Sequence, residues 1–100
     1  MYSISLEKIS ESKVLDIARK AIAKPVEAVR VRDITTNREF VELEAYIFFD
    51  DKLLNREIQV EDLQSIRKAV TNYIQDVYPQ EYPFVHFRFQ PVTSLHKPLA

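Results

Sequence analysis

The run Phe40-Val41-Glu42-Leu43-Glu44-Ala45-Tyr46-Ile47-Phe48-Phe49 is the longest β-rich stretch of the chain. Successive side chains of a strand point to opposite faces. Val41, Leu43, Ala45, Ile47 and Phe49 therefore share one face, and Phe40, Glu42, Glu44, Tyr46 and Phe48 share the other. Upstream, Val26 to Ile34 alternates in the same way, with Val29 and Val31 set against Arg30 and Arg32. Thr35-Thr36-Asn37-Arg38 separates the two runs as a polar turn in which Asn37 can take a left-handed conformation, so the pair reads as a β-hairpin.

Outward from the hairpin, Val14, Ile17, Ala18 and Ala21 recur at helical spacing, widened by Leu15 and Ile22. Ser10 or Ser12 can cap this helix, and Pro25 stops it by disfavouring helical geometry at Lys24, which gives a helix over 11–23. Leu63, Ile66, Val70, Tyr73, Ile74 and Val77 predict a second helix over 60–77. Asp50 to Gln59 reads as a charged connector, and Pro79 and Pro83 bound a loop. Phe84 to Gln90 alternates again with Val85, Phe87 and Phe89 inward, and Pro91 ends the strand because proline cannot donate to a ladder. Residues 1–9 are ambiguous, since Tyr2, Ile4 and Leu6 alternate like a strand while Leu6 and Ile9 could begin a helix. Residues 92–100 read as a frayed tail. The expected fold is one α+β domain over 1–100 with its ordered core at 11–91. It is a two-layer open sandwich of order αββαβ, with a three-stranded, mostly antiparallel sheet and two helices on one face. The crossover through the second helix is expected to bring the third strand beside the first.

Composition narrows function by exclusion. The 100 residues include no Gly and no Cys, with a formal net charge of −1. Without cysteine there is no disulfide, no Cys-ligated zinc, no iron–sulfur cluster and no thiol catalysis. Without glycine, the standard phosphate-cradling loops, dinucleotide fingerprints and nucleophile elbows are absent. Positive-φ positions are then expected at Asn37 and Asn55. Balanced charge gives no general attraction to nucleic acid or to anionic membranes. No apolar stretch reaches the length of a membrane span, and Met-Tyr-Ser-Ile-Ser-Leu-Glu-Lys does not read as a signal peptide. A cytoplasmic location is expected.

Two helices cover one side of such a sheet. The uncovered side carries Arg30 and Arg32 on the first strand, Glu42, Glu44, Tyr46 and Phe48 on the second, and Phe84, His86 and Arg88 on the third. Arg and Glu on neighbouring strands can pair across the ladder. Phe40, Tyr46, Phe48 and Phe84 are large apolar groups for a wetted face, and a contiguous patch of that kind marks an interface. Aromatics with compensated charge suit a protein partner or a second copy of the same chain. Tyr46 and Phe48 are expected to be exposed enough to accept aspartate without unfolding the domain. Aromatics on a sheet can also stack on bases of single strands, but Glu42 and Glu44 in mid-platform would repel phosphate, so nucleic acid is not the expected partner. For metals, only His86 and His96 accompany the carboxylates, none at helical ligand spacing, and Asp50-Asp51 reads as a polar loop, so no metal and no cofactor is expected. No serine lies in a nucleophile motif, and Glu42 with Glu44 is better explained by pairing with Arg30 and Arg32 than as a catalytic carboxylate pair, so no catalytic residue is assigned.

The segments Val26-Glu27-Ala28-Val29-Arg30-Val31-Arg32, Phe40-Val41-Glu42-Leu43-Glu44 ending in Asp50, and Val85-His86-Phe87-Arg88-Phe89-Gln90-Pro91 resemble the cytoplasmic C-terminal domain of cation diffusion facilitator transporters across about 11–91. The resemblance implies a ferredoxin-like fold of order αββαβ, dimerisation and metal sensing. The family's histidine positions fall at Arg30, Glu44 and Arg88, and its closing glutamate at Gln90, so the implied metal ligands are not retained; His86 lies one strand step away on the same face. The expected function is a non-catalytic protein-interaction or accessory domain acting through the sheet face as a homodimer. The alternatives are a ligand- or metal-sensing regulatory domain, a single-stranded nucleic-acid-binding module, and a small enzyme with a pocket floored by the sheet.

Overall fold

The computed structural model describes residues 6–36 and 39–96. It is an α+β structure with a three-stranded mixed sheet and three helices. Helix α1 spans Glu11–Ile22, strand β1 Ala28–Asp33, strand β2 Glu42–Phe49, helix α2 Asp51–Arg56, helix α3 Val60–Val77 and strand β3 Phe84–Pro91. Short 3₁₀ turns at Leu6–Lys8 and Val92–His96 flank this set, replacing the ambiguous start and part of the expected frayed tail. Tyr2, Ile4 and residues 97–100 lie outside the described residues.

Ser10 is the N-cap of α1, its hydroxyl accepting from the Lys13 N–H at 3.2 Å. Val14 and Ala18 of α1 and Ile66, Val70 and Ile74 of α3 form one buried cluster with Val29, Leu43, Ile47 and Phe49 of the sheet. The helical stripes thus meet the odd-numbered face of β2, as their periodicity predicts. Helix α3 begins and ends where the apolar spacing places it. Its first turn is held by the Asp62 carboxylate, which accepts from the Gln59 N–H at 2.9 Å and from Lys24 Nζ at 2.6 Å. These two hydrogen bonds, Lys24 first, hold the Asp62 carboxyl below its ordinary range.

β1 and β2 form the expected antiparallel pair, with Arg32 opposite Glu44 and Arg30 opposite Tyr46. The sheet order is β1-β2-β3, and β3 runs parallel to β2. The expected neighbour of β3, namely β1, is therefore replaced by β2, and the sheet is mixed rather than mostly antiparallel. Burial explains the arrangement. Seven of the eight residues of β2 are buried, Leu43 through Phe49, so this strand needs a neighbour on each edge and cover on each face. The unbroken apolar run Ala45–Phe49 already carries that signal, because strands buried on both faces read as continuous hydrophobic runs.

The expected charged connector contains helix α2, whose N-cap Asp50 accepts from the Lys52 N–H at 3.0 Å. Leu53 and Leu54 of α2 pack against the main core. Asn55 lies inside this helix, and among the described residues Ala23 (φ 53°) and Tyr82 (φ 46°) take positive φ; Asn37 lies outside the described residues. Ala23 closes α1 in the left-handed region, its N–H donating to the Arg19 carbonyl at 3.0 Å. Pro25 forbids continuation of the helix, so the chain turns here with the residue it has. A left-handed residue with a Cβ carries about 1–2 kcal/mol of steric cost. Ala23→Gly relieves that cost against a smaller loss of unfolded-state restriction, so the substitution is expected to raise stability by about 0.5–1 kcal/mol in chemical denaturation. An unchanged or lower midpoint would show that the left-handed cap carries no strain.

Candidate functional site: the outer sheet face

Registers of both ladders place all nine sequence-selected residues on the face away from the main core. Arg30 and Arg32 come from β1, Glu42, Glu44, Tyr46 and Phe48 from β2, and Phe84, His86 and Arg88 from β3. The centre of this face is Glu44, only 5 % exposed. Its Oε1 accepts from Arg32 at 2.9 Å and its Oε2 accepts from Arg88 Nε at 2.9 Å. One carboxylate on the central strand thus binds a guanidinium from each outer strand. Burial pushes the Glu44 carboxyl up. Hydrogen bonds from Arg88, Tyr46 and Arg32, with the Arg32 charge, outweigh that and hold it below its ordinary value. The same pairing raises the Arg88 guanidinium further above its own high value.

Around this centre the Arg32 guanidinium lies over the Tyr46 ring, 5.6 Å from its centroid, and the Tyr46 ring stacks on Phe48 with centroids 6.0 Å apart. Tyr46 is 5 % exposed and Phe48 fully buried. This corrects the expectation of an open aromatic platform that would tolerate aspartate at both positions. The Arg32 side chain lies across this part of the sheet, its guanidinium over Tyr46 and bonded to Glu44. The Val92–His96 turn, which follows β3 directly, also contacts β2 and β3. Solvent instead reaches Arg30, Phe84 (55 % exposed), His86 and Arg88. Phe84 meets the half-buried Phe40 edge-to-face at 5.2 Å. His86 Nε2 lies 3.0 Å from Glu42 Oε1. Tyr82, 62 % exposed, precedes this patch and was not singled out in the sequence, where it sits in a loop between prolines with no periodic signal.

The chemistry available here is charge pairing and apolar contact. Glu44 is fixed as an anion by two guanidinium groups, so it has no proton to deliver near neutrality. Ile34, Glu42, Glu44, His86, Phe87 and Arg88 line a shallow surface depression. Among the described residues no group of three or more His, Asp or Glu side chains is placed to hold a metal ion, and no helix is long and apolar enough to cross a membrane. Comparison with models of known protein families and with curated proteins finds no match.

Two outcomes follow from this geometry. Because the folded Glu44 carboxyl sits below its unfolded value, its contribution is complete above the ordinary carboxylate range and is lost as pH falls through the folded value. Glu44→Gln is expected to lower stability by about 1–3 kcal/mol at neutral pH and to flatten the acid limb of the urea midpoint against pH. An acid limb as steep as in the unsubstituted protein would remove Glu44 as its source. Phe48→Ala is expected to cost about 3–5 kcal/mol in the same measurement, the range for deleting a buried aromatic, whereas a cost below 1 kcal/mol would mean the ring is not packed.

Proposed function

We propose that this chain is a non-catalytic protein-interaction domain of ferredoxin-like, two-layer architecture, working in the cytoplasm as a homodimer. It would use the solvent-reached part of the outer sheet face. The observation that carries the reading is the exposed Phe84, packed edge-to-face on Phe40 and sharing its face with the His86–Glu42 and Arg88–Glu44 contacts. An apolar centre with a compensated polar rim suits a protein surface. Glu42 and Glu44 stand in the middle of this face and would repel phosphate, so the nucleic-acid reading is weaker. A second copy fits better than a strongly charged partner, because the chain is near neutral, with net charge −1.

Sedimentation equilibrium tests this. The unsubstituted chain is expected to dimerise, and Phe84→Asp to weaken the dimer about tenfold or more while the protein stays folded in dilute, monomeric solution, since Phe84 is more than half exposed. A monomer at the highest attainable concentration would overturn the homodimer, and a dimer indifferent to Phe84→Asp would move the contact elsewhere.

A further inference from the structure

We infer that two copies of this chain join edge to edge through antiparallel pairing of β3 with β3, making one continuous sheet. This deepens the homodimer reading above and rests on it.

β3 is an outer strand of the sheet. The Phe84 N–H donates to the Val41 carbonyl at 2.9 Å, and Phe84 is in register with Glu42. In a parallel ladder the N–H and C=O of one residue point the same way, and alternate residues bond the partner strand. Phe84, His86, Arg88 and Gln90 therefore bond β2. Val85, Phe87 and Phe89 direct their N–H and C=O groups outward, where no strand receives them among the described residues. The opposite edge is different, for there the Glu11 carboxylate accepts from the Val31 N–H at 2.7 Å. Val85, Phe87 and Phe89 are also only partly buried on the helix side of the sheet, where the Phe87 and Phe89 rings stack with centroids 6.0 Å apart. An exposed edge flanked by apolar groups is a template for another strand.

The sequence of this edge matches itself. Pro83-Phe84-Val85-His86-Phe87-Arg88-Phe89-Gln90-Pro91 is nearly symmetric about Phe87. A two-fold axis through Phe87 sets Phe87 against its own copy and Val85 against Phe89, in both directions. All three outward residues then fall in hydrogen-bonded pairs, and apolar side chains meet apolar ones. The same axis sets His86 against Arg88, placing a guanidinium beside an imidazole that is backed by the Glu42 carboxylate, and it sets Phe84 against Gln90. Pro83 and Pro91, which have no N–H to offer, come opposite each other and end the ladder at both sides. Axes through His86 or Arg88 keep the outward groups in phase but set Phe89 or Val85 opposite a proline, which leaves that residue's carbonyl without a donor, and they bring imidazole against imidazole or guanidinium against guanidinium. The Phe87 axis alone pairs both backbone groups of all three outward residues and avoids setting Arg88 against its own copy, and the contact is isologous, as a two-fold dimer requires.

The absence of cysteine makes the register directly measurable. Chains carrying Phe84→Cys, mixed under oxidising conditions with chains carrying Gln90→Cys, are expected to form a disulfide-linked heterodimer, while neither variant cross-links alone. Hydrogen exchange on the unsubstituted dimer is expected to slow the amides of Val85, Phe87 and Phe89 at least tenfold relative to dilute monomer. If sedimentation shows a dimer sensitive to Phe84→Asp but neither the mixed cross-link nor the amide protection appears, the edge pairing is overturned and the face contact survives. If His86→Cys or Arg88→Cys chains cross-link with themselves, the register is overturned. A chain that stays monomeric overturns both proposals together.

Discussion

Glu44 is the constraint on which the sheet depends. Hydrophobic alternation along β2 already excludes a slip of one residue, because that would exchange Leu43, Ile47 and Phe49 for Glu42, Glu44 and Tyr46 in the core. It does not exclude a slip of two, which keeps every side chain on its own face. Such a slip of either outer strand separates an arginine from Glu44 and leaves a buried carboxylate half-satisfied. A buried ion cluster is poor evidence for stability as such, since a well-packed apolar group could serve as well. What the cluster supplies is registration of all three strands at once. One of these arginines, Arg32, also lies over the Tyr46 ring, which in turn stacks on Phe48.

Much of this fold is legible in the sequence because it follows from short-range period. The two faces of β2, the hairpin partner β1 and the full extent of α3 all come from spacing alone. So does the common face of Arg30, Arg32, Glu42, Glu44, Tyr46, Phe48, Phe84, His86 and Arg88, since side-chain alternation holds whatever the strand order. The order itself is a long-range property. The place of β3 beside β2 depends on which strand most needs two neighbours, and the run Ala45–Phe49 is its local trace. Helix α2 is short and half charged, so it has too few turns to announce an apolar stripe. The left-handed residues are less legible still. Ala23 and Tyr82 have no intrinsic preference for positive φ and are held there by the elements on either side.

Burial was the part of the candidate site that alternation could not supply. Period two says which face a side chain takes and nothing about what lies over that face. Phe48 and Tyr46 share a face with Phe84, yet only Phe84 reaches solvent to any extent, because Phe48 and Tyr46 sit on the central strand and Phe84 on the outer one. The surface available for contact is accordingly displaced from the middle of the sheet toward the β3 side. The interaction reading and the edge reading therefore converge on neighbouring residues.

The Glu11 carboxylate on the Val31 amide has a consequence for how large an assembly can become. Sheets that offer two bare edges can recruit neighbours indefinitely, and their growth ends in fibres. Here one margin carries an anion from the chain's own first helical turn, and an incoming strand would have to displace it. In the edge-paired dimer proposed above, that anion would oppose a second addition along β1. The limit on that proposed assembly would then lie in a side chain remote from the contact itself.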